Sequence, residues 1–401
     1  MNLGLKNFVK SVGIQEAERV LCEALAATQR KIQDPDSTEP NAIRLDRFSY
    51  REMWEAFCGE GTLELLNPFR EQQSLVTPRM LREESAAVGF TAFLNINGQI
   101  VFSKILESYK RPEFKLAGLV ETMPSRFSGE KIPQLTNLDG DEDEVVEGAE
   151  YGRAGFGEAY LDTPDTVKRG TIVELTKEAI FFDKVGTMFR QAGTVGAWLA
   201  QRKENRIADE CIGVTNGYQR NGTATNTFQT TAPWVNDQVN VLADWTDLDN
   251  AEHLLAAMTD PDTGDPIMIS GDRVLLCSAQ LEATAAYIST ATESRRTDGG
   301  AVTMVGGNPA RTTGHRVVGS RTLYHRHLAS GLSAAESRNR WYWGSLSDGL
   351  LYVENWAIGT VMAPPNSEAE FTRDVLHRVK ASERGVITTQ EPRAIVRNTT
   401  A

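Results

Sequence analysis

The feature that most constrains the fold is a helical pattern of unusual length between residues 183 and 217. Val185, Met188, Ala192, Val195 and Leu199 recur at three- and four-residue steps. Ile207, Cys211 and Val214 resume the series beyond the charged block Arg202-Lys203-Glu204-Asn205-Arg206. Asp183 is placed to cap this helix, and Asn216-Gly217 supplies the left-handed residue that helix ends favour. About 30 residues at 1.5 Å each make a rod of roughly 45 Å, longer than most helices in a compact domain. Gly193 and Gly196 lie inside the apolar seam. Each costs about 1 kcal/mol of helix propensity relative to alanine, so the pattern predicts that another backbone approaches closely there.

A strand-like run, Thr171-Ile172-Val173-Glu174-Leu175, leads into the helix after a turn at Asp162-Thr163-Pro164-Asp165, and an acidic stretch lies before that turn. Asp139, Asp141, Glu142, Asp143, Glu144, Glu147 and Glu150 fall within twelve positions. Three readings stand side by side. The run is a solvated loop, the usual meaning of clustered like charge. Alternatively it is a calcium loop, since Asp139, Asp141, Asp143 and Glu150 match positions 1, 3, 5 and 12 of an EF-hand. Against that, Glu144 stands where the turn needs glycine, and flanking helices are absent. In the third reading, Asp141, Glu142, Asp143, Glu144 and Glu147 meet a basic patch on a neighbouring subunit, with Arg202, Lys203 and Arg206 of the long helix as the first partners to test.

Elsewhere the chain reads as a mixture of helices and strands. Residues 1–33 form one amphipathic helix with Val12, Ile14, Ala17, Val20, Leu21, Leu25 and Ala26 on its apolar face. Ser49 with Glu52 makes a capping box for a second helix through Phe57, Thr77-Pro78 opens a third, and Ile96 to Tyr109 form another. These read as separate helices on connectors, an arm more than a compact domain. Leu116 to Leu135 is strand-like, and Tyr218 to Trp234 reads as an exposed connector. Beyond it Asp249 with Glu252 caps a helix, Pro266–Ser270 and Arg273–Cys277 read as strands, and Ser278 caps the next helix. Asp298 to Gly314 reads as a glycine-rich surface loop that matches neither phosphate-binding spacing. Trp341-Tyr342-Trp343, Leu350 to Val353, Ile358 to Met362 and Ala394-Ile395-Val396 are β-prone. Phe371 to Ile387 alternates at Val375, His377, Val379 and Ala381 as a long half-exposed strand.

Composition excludes several classes. Hydrophobic content of 40% and charged content of 24% are those of a soluble globular protein. No window approaches 18 uninterrupted apolar residues, and the start Met1-Asn2-Leu3-Gly4-Leu5-Lys6 lacks the features of an export signal. A net charge of −12 argues against a dedicated nucleic-acid binder, though not against a protein that encloses nucleic acid without gripping it. The four cysteines, Cys22, Cys58, Cys211 and Cys277, form no CxxC pair and read as buried free thiols. His325 and His327 form a close pair with no acidic or cysteine partner nearby, so no metal site is assigned to them. There is no GxSxG elbow, HExxH or Walker lysine. No catalytic, cofactor or metal residue is therefore assigned.

The order of parts resembles the major capsid protein of tailed bacteriophages, with the fold named after phage Hong Kong 97. Val146-Glu147-Gly148, Phe156-Gly157-Glu158 and Leu175-Thr176-Lys177-Glu178 are similar to that family's extended loop and its return to the spine helix. Leu275 to Ala285 resembles the strand-to-helix segment of its axial domain, Asn308-Pro309 and Gly314 to Gly319 the segment before that domain's later strands, and Phe371 to Val396 the closing strands of its peripheral domain. The resemblance spans roughly residues 115–400. It implies an α+β chain with an N-terminal helical arm (1–115), an extended β-hairpin loop (116–178), the spine helix and start of the peripheral domain (179–245), an α/β axial domain (246–365) and closing peripheral strands (366–401).

It also implies a non-enzymatic virion protein, assembled in the host cytoplasm, that associates with itself as pentamers and hexamers into an icosahedral shell around double-stranded DNA, without tight DNA binding. Portal, scaffold or decoration proteins would be its other partners; no membrane or cofactor is implied. The lysine–asparagine crosslink of some members is not expected: Asp374 holds the asparagine's position, and Gly148 to Phe156 contains Arg153 but no lysine. An encapsulin-like shell around a cargo enzyme and, from another class, a calcium-binding surface protein are the alternatives.

Overall fold

The computed structural model describes residues 5–45, 49–59, 84–134, 159–182, 187–214, 218–260, 264, 266–298, 302–363 and 375–400. The acidic run from Asp139 to Glu150, Arg153, Asp183, Asn216-Gly217, Thr77-Pro78 and Asp374 lie outside these described residues. In chain order the elements begin with α1 (Leu5–Val12), α2 (Ile14–Gln33), α3 (Tyr50–Phe57) and α4 (Glu84–Tyr109). Next come β1 (Glu121–Pro124), β2 (Lys131–Gln134), β3 (Ala159–Asp162), β4 (Val167–Thr176), α5 (Lys177–Phe182) and α6 (Thr187–Cys211). Then follow β5 (Gln219–Arg220), β6 (Thr223–Ala224), β7 (Asp237–Val239), α7 (Trp245–Ala256), β8 (Val274–Ser278), α8 (Glu282–Thr290), β9 (Glu293–Asp298) and β10 (Val302–Gly307). The chain closes with β11 (Arg316–Ser320), α9 (Arg321–Ala329), α10 (Ala334–Asn339), β12 (Trp341–Gly344), α11 (Leu346–Gly349), β13 (Leu350–Met362), β14 (Val375–Thr389) and β15 (Ile395–Thr399).

The chain divides into two compact units, each assembled from separated segments. The first comprises residues 1–113, 168–202 and 356–384. Its helices are not loose pieces of an arm: α1 to α4, the first part of α6 and strand β14 share one core, containing Leu21, Leu25, Met53, Trp54, Phe57, Phe93, Ile100, Leu199 and Val379. Trp54 meets Phe93 edge to face at 5.0 Å between ring centroids. The single N-terminal helix expected from the sequence is two, because Gly13 adopts φ 92°, a conformation that ends one helix and turns the chain into the next. Conversely, α4 begins well before Ile96. Its Asn97-Gly98 step stays helical because burial on several sides, from Ala92 through Ile105, outweighs the weak propensity of those two residues. The predicted approach of a backbone to α6 is present. A methyl group placed on Gly196 would overlap the carbonyl oxygen of Ile105, and one on Gly193 would come within 2.9 Å of the Ser108 hydroxyl.

The second unit comprises residues 114–167, 203–355 and 385–401. At its centre is a five-stranded mixed sheet in the order β11-β8-β12-β15-β7. Strand β8 is buried throughout, so its sequence Val-Leu-Leu-Cys-Ser shows no polar alternation. Leu275, Cys277, Trp341 and Trp343 face one apolar cluster with α7 and α8. Val274, Leu276 and Tyr342 face another, shared with Ile207, Cys211 and Leu323. Within this unit β1 also runs parallel to the start of β13, pairing Glu121–Pro124 with Leu351–Glu354, while β2, β3, β5 and β6 form a small antiparallel sheet.

Several local expectations are corrected here. Helix α7 is capped by Asp244, in a box with Asp247, and not by Asp249. Ser278 donates its hydroxyl to the Arg338 carbonyl at 2.7 Å, so it caps nothing, and α8 starts at Glu282. Only Pro266 of the 266–270 run makes a strand-like contact, an isolated bridge to Thr259. Within 298–314, residues 302–307 form β10, antiparallel to β9, and Asn308 caps a short 3₁₀ turn at Pro309–Arg311. Tyr218, Thr227 and Phe228, read from sequence as part of an exposed connector, are buried. The segment is pinned by Asn236, whose amide donates to the carbonyls of Thr227 (2.9 Å), Pro392 (2.8 Å) and Ile395 (3.2 Å). Its apolar anchors are spaced too widely to produce a period.

Candidate assembly surface

The charged block on α6, one continuous stretch in the sequence, is divided by the helix into residues with different duties. Arg202 is exposed and lies over the ring of Trp198, 5.6 Å from its centroid; Trp198 is itself 47% exposed. Lys203 is turned inward. Its Nζ sits 4.0 Å from the ring centroid of Tyr352 and 3.6 Å from Glu354 Oε1, so this charge is matched within its own subunit. Glu204 is fully buried: Oε1 accepts from the Leu116 amide at 2.9 Å and Oε2 from the Ala117 amide at 3.2 Å. Burial pushes its pKa up, and the amide hydrogen bonds oppose that shift. Arg206 is half-buried. Further along, Asp209 holds Arg326 of α9 through two hydrogen bonds of 2.6 and 2.9 Å.

A second cluster was not singled out from the sequence. On the first unit, Trp356 of β13 is 41% exposed and lies near two cations, Lys168 Nζ at 5.9 Å and the Arg384 guanidinium at 5.6 Å from the ring centroid. Along β14 Val379, Ala381, Ser382 and Glu383 are buried and Lys380 is exposed, with Glu383 accepting from the Tyr109 hydroxyl at 2.7 Å. Arg378, Lys380 and Arg384 occupy the other face. Arg378 pairs with Glu174 of β4 at 3.1 Å, which places the Lys168, Ile172 and Glu174 side of β4 on that same face. Ile172 is 55% exposed there. The signal was available: the apolar alternation at Val375, Val379 and Ala381 implies an opposite set, and three of its members are basic.

The histidine pair does not converge. His327 is buried, with Nε2 2.8 Å from the Tyr342 hydroxyl and its ring stacked on Tyr342, whereas His325 meets Tyr324 edge to face at 5.5 Å. Residues two apart on a helix point to different sides. Burial pushes the His327 pKa down to about 4. Among the described residues no group of three or more His, Cys, Asp and Glu is arranged to hold a metal ion, and no helix is long and apolar enough to cross a membrane. Of the contact candidates, Arg202, Lys203 and Arg206 are placed as above, while Asp141, Glu142, Asp143, Glu144 and Glu147 lie outside the described residues.

A model of the family described as phage capsid protein matches residues 160–398. No curated protein matches the chain. Among solved structures, the capsid of a native GTA particle is similar at 11% identity and a TM-score of 0.45, covering 73% of this chain and 91% of that one. The capsid of cyanophage Pam1 is similar at 12% identity and 0.46, covering 71% and 88%. The holo-SrpI encapsulin complex of Synechococcus elongatus PCC 7942 is similar at 10% identity and 0.42, covering 72% and 87%.

Proposed function

The chain belongs to the phage capsid protein family, as a structural protein of the virion whose copies assemble into an icosahedral shell, and from that premise we propose how it does so. The copies close first into pentamers and hexamers, since rotationally closed rings satisfy every heterologous contact that an open chain would leave bare. The shell encloses double-stranded DNA, and the excess of acidic residues keeps its wall from adhering to the polyphosphate as the genome is packed. Assembly takes place in the host cytoplasm, with portal, scaffold or decoration proteins completing the head.

The observation that carries this reading is the extent of the family match, which takes in the long helix, the five-stranded sheet and the closing strands. That the match is to phage capsids favours a genome over an enzyme as the cargo. The exposed apolar residues of α6 and the first-unit sheet, Trp198 and Trp356 among them, are suited to contacts between copies. The acidic residues Asp141, Glu142, Asp143, Glu144 and Glu147 engage cations of a neighbour, and Arg202 and Arg206 are candidate partners. Lys203, matched by Glu354 and Tyr352 of its own chain, contributes least. Electron microscopy of the purified protein tests the proposal: closed shells of tens of nanometres are expected. A monodisperse monomer in light scattering across assembly buffers would overturn it, and shells enclosing a protein in place of DNA would favour the encapsulin-like alternative.

A further inference from the structure

We infer that the open edge of the five-stranded sheet, at strand β7, pairs with residues 267–270 of a second copy of this chain, so that one copy adds a strand to the sheet of the next. The inference rests on the self-assembly proposed above and names one pair of segments through which it proceeds. Strand β7 ends the order β11-β8-β12-β15-β7, with β15 as its one neighbour among the described strands. The Arg397 amide donates to the Asn236 carbonyl at 2.8 Å, and the Asn240 amide donates to the Thr399 carbonyl at 2.9 Å. The even-numbered residues therefore direct their backbone groups toward β15. Alternate residues of a strand point these groups to opposite edges, so the amide and carbonyl of Val239 face the open side. The Asp237 amide, which also points that way, is taken by the Gln229 carbonyl at 3.1 Å.

Sheet edges are blunted by charge, by proline or by a covering segment when they must stay single. This one has no such protection at Val239: residues 238–242 carry no charge and no proline, Val239 is 67% exposed and Val241 is 47% exposed. The complementary segment is 266–270. Its sequence, Pro-Ile-Met-Ile-Ser, is also uncharged and strand-like. Within its own chain it makes only the bridge of Pro266 to Thr259 and the hydrogen bond from the Ile267 amide to the Met258 carbonyl at 3.2 Å. Met268, Ile269 and Ser270 make no backbone-to-backbone hydrogen bond among the described residues. Their side chains nevertheless alternate as in a strand. Ile269 packs against the apolar cluster that contains Leu275 and Trp343, whereas Met268 is 89% exposed. This is the pattern of a strand whose pairing partner lies outside its own chain. Laid along β7, it sets Met268 beside Val239 or Val241, an apolar cross-strand pair of the kind that stabilises sheets.

A second copy is the occupant that these observations favour. Copies of this chain assemble into a shell, so each edge meets many copies of the complementary run at high local concentration. The two segments differ, and each copy carries one of each, so the contact is head to tail, the kind that closes rings. Pairing β7 with a second β7 would satisfy the edge but leave Met268 and its backbone bare. Nucleic acid has no cation to meet in either segment.

The test uses the full chain with the half-buried thiol Cys22 replaced by serine, the other three cysteines being buried. Val239→Cys with Met268→Cys, and Val241→Cys with Met268→Cys, cover the two registers in which these side chains share a face. After mild oxidation of assembled shells, one of the two pairs is expected to give a ladder of linked copies on non-reducing gels, and dithiothreitol should collapse it. Each single cysteine variant should run as a monomer. As a second arm, Val239→Lys and Met268→Glu should each lower shell yield by about fivefold or more, since charge on an edge blocks pairing. Both residues are exposed, so the melting temperature of the unassembled chain should move by less than about 2 °C. Lys and Glu placed together in one chain should recover most of the wild-type yield. Dimers from Val239→Cys or Val241→Cys alone would assign the edge to a second β7 and overturn the proposal. Absence of a ladder from both pairs, or no recovery in the charge-paired variant, overturns it as well. In each of these cases wild-type shells leave the capsid function standing, whereas failure of wild type to form any shell counts against that function itself.

Discussion

Gly196 of the long helix packs directly against the carbonyl oxygen of Ile105, leaving no room for a methyl group between the two helices. Gly193, one turn earlier, lies beside Ser108 in the same way. The two glycines thus exchange helix propensity for a close approach of α6 to α4.

This relationship gives the first prediction. Gly196→Ala should destabilise the protein by about 1–3 kcal/mol, because the obstacle is backbone and cannot swing aside, and the loss exceeds the roughly 1 kcal/mol gained in helix propensity. Gly118→Ala, at a glycine with nothing within 4 Å of its missing Cβ, should be neutral within about 0.5 kcal/mol. Urea unfolding midpoints decide between them, and equal midpoints would show that the helices part easily.

Glu204 supplies the second. Glu204→Ala leaves the amides of Leu116 and Ala117 buried without an acceptor, at a cost of about 1–3 kcal/mol for each. Glu204→Gln keeps one carbonyl acceptor and removes a charge whose ionisation burial already disfavours, so its effect should be under half that of alanine. Thermal melts of the two variants test the order, which must not reverse.

The third concerns acid. His327 has a folded-state pKa of about 4 against an ordinary value of 6.5, so the unfolded chain binds the proton more tightly. Its contribution is fully present above about pH 6.5 and is lost as pH falls toward about 4. Between pH 7 and pH 5 the loss should be about 2 kcal/mol. His327→Gln should flatten stability over that interval. A variant that keeps the wild-type slope would assign the acid sensitivity to other groups.

The fourth separates folding from assembly. Trp198→Ser removes a half-exposed ring that lies under the exposed Arg202, so the melting temperature should move by less than about 2 °C, as for a surface change. Shell yield, measured by sedimentation, should fall severalfold. Normal yield would remove Trp198 from the contact surface.

What could be read in the sequence follows the range of the interactions involved. The strand Thr171 to Leu175, the β-prone Trp341-Tyr342-Trp343 and the long helix all have local periods, and all are present. The glycine pair on that helix was legible because its propensity cost demanded a compensating contact. The helix end was misplaced by a few residues: it stops at Cys211, with Gly213 at φ 78° supplying the left-handed residue. The burial of Tyr218 and Phe228, by contrast, depends on partners such as Trp234, Tyr342 and Arg397, whose proximity no local pattern encodes. The candidate surface divides in the same way. Its cations were visible, but that Lys203 turns toward Tyr352 and Lys168 toward Trp356 is decided by contacts more than 140 residues apart in sequence.

The core of the first unit joins Val9 and Leu25 to Val379 and Ala381. On the ribosome, this places a delay in the life of every copy. At about 5–20 residues per second, the strand that completes this core is synthesised roughly 20–70 seconds after the first helix. The helices therefore wait with part of their apolar surface uncovered. A subunit cannot offer its finished first-unit surface to other copies until synthesis has passed Arg384, so competence to assemble is timed by translation itself.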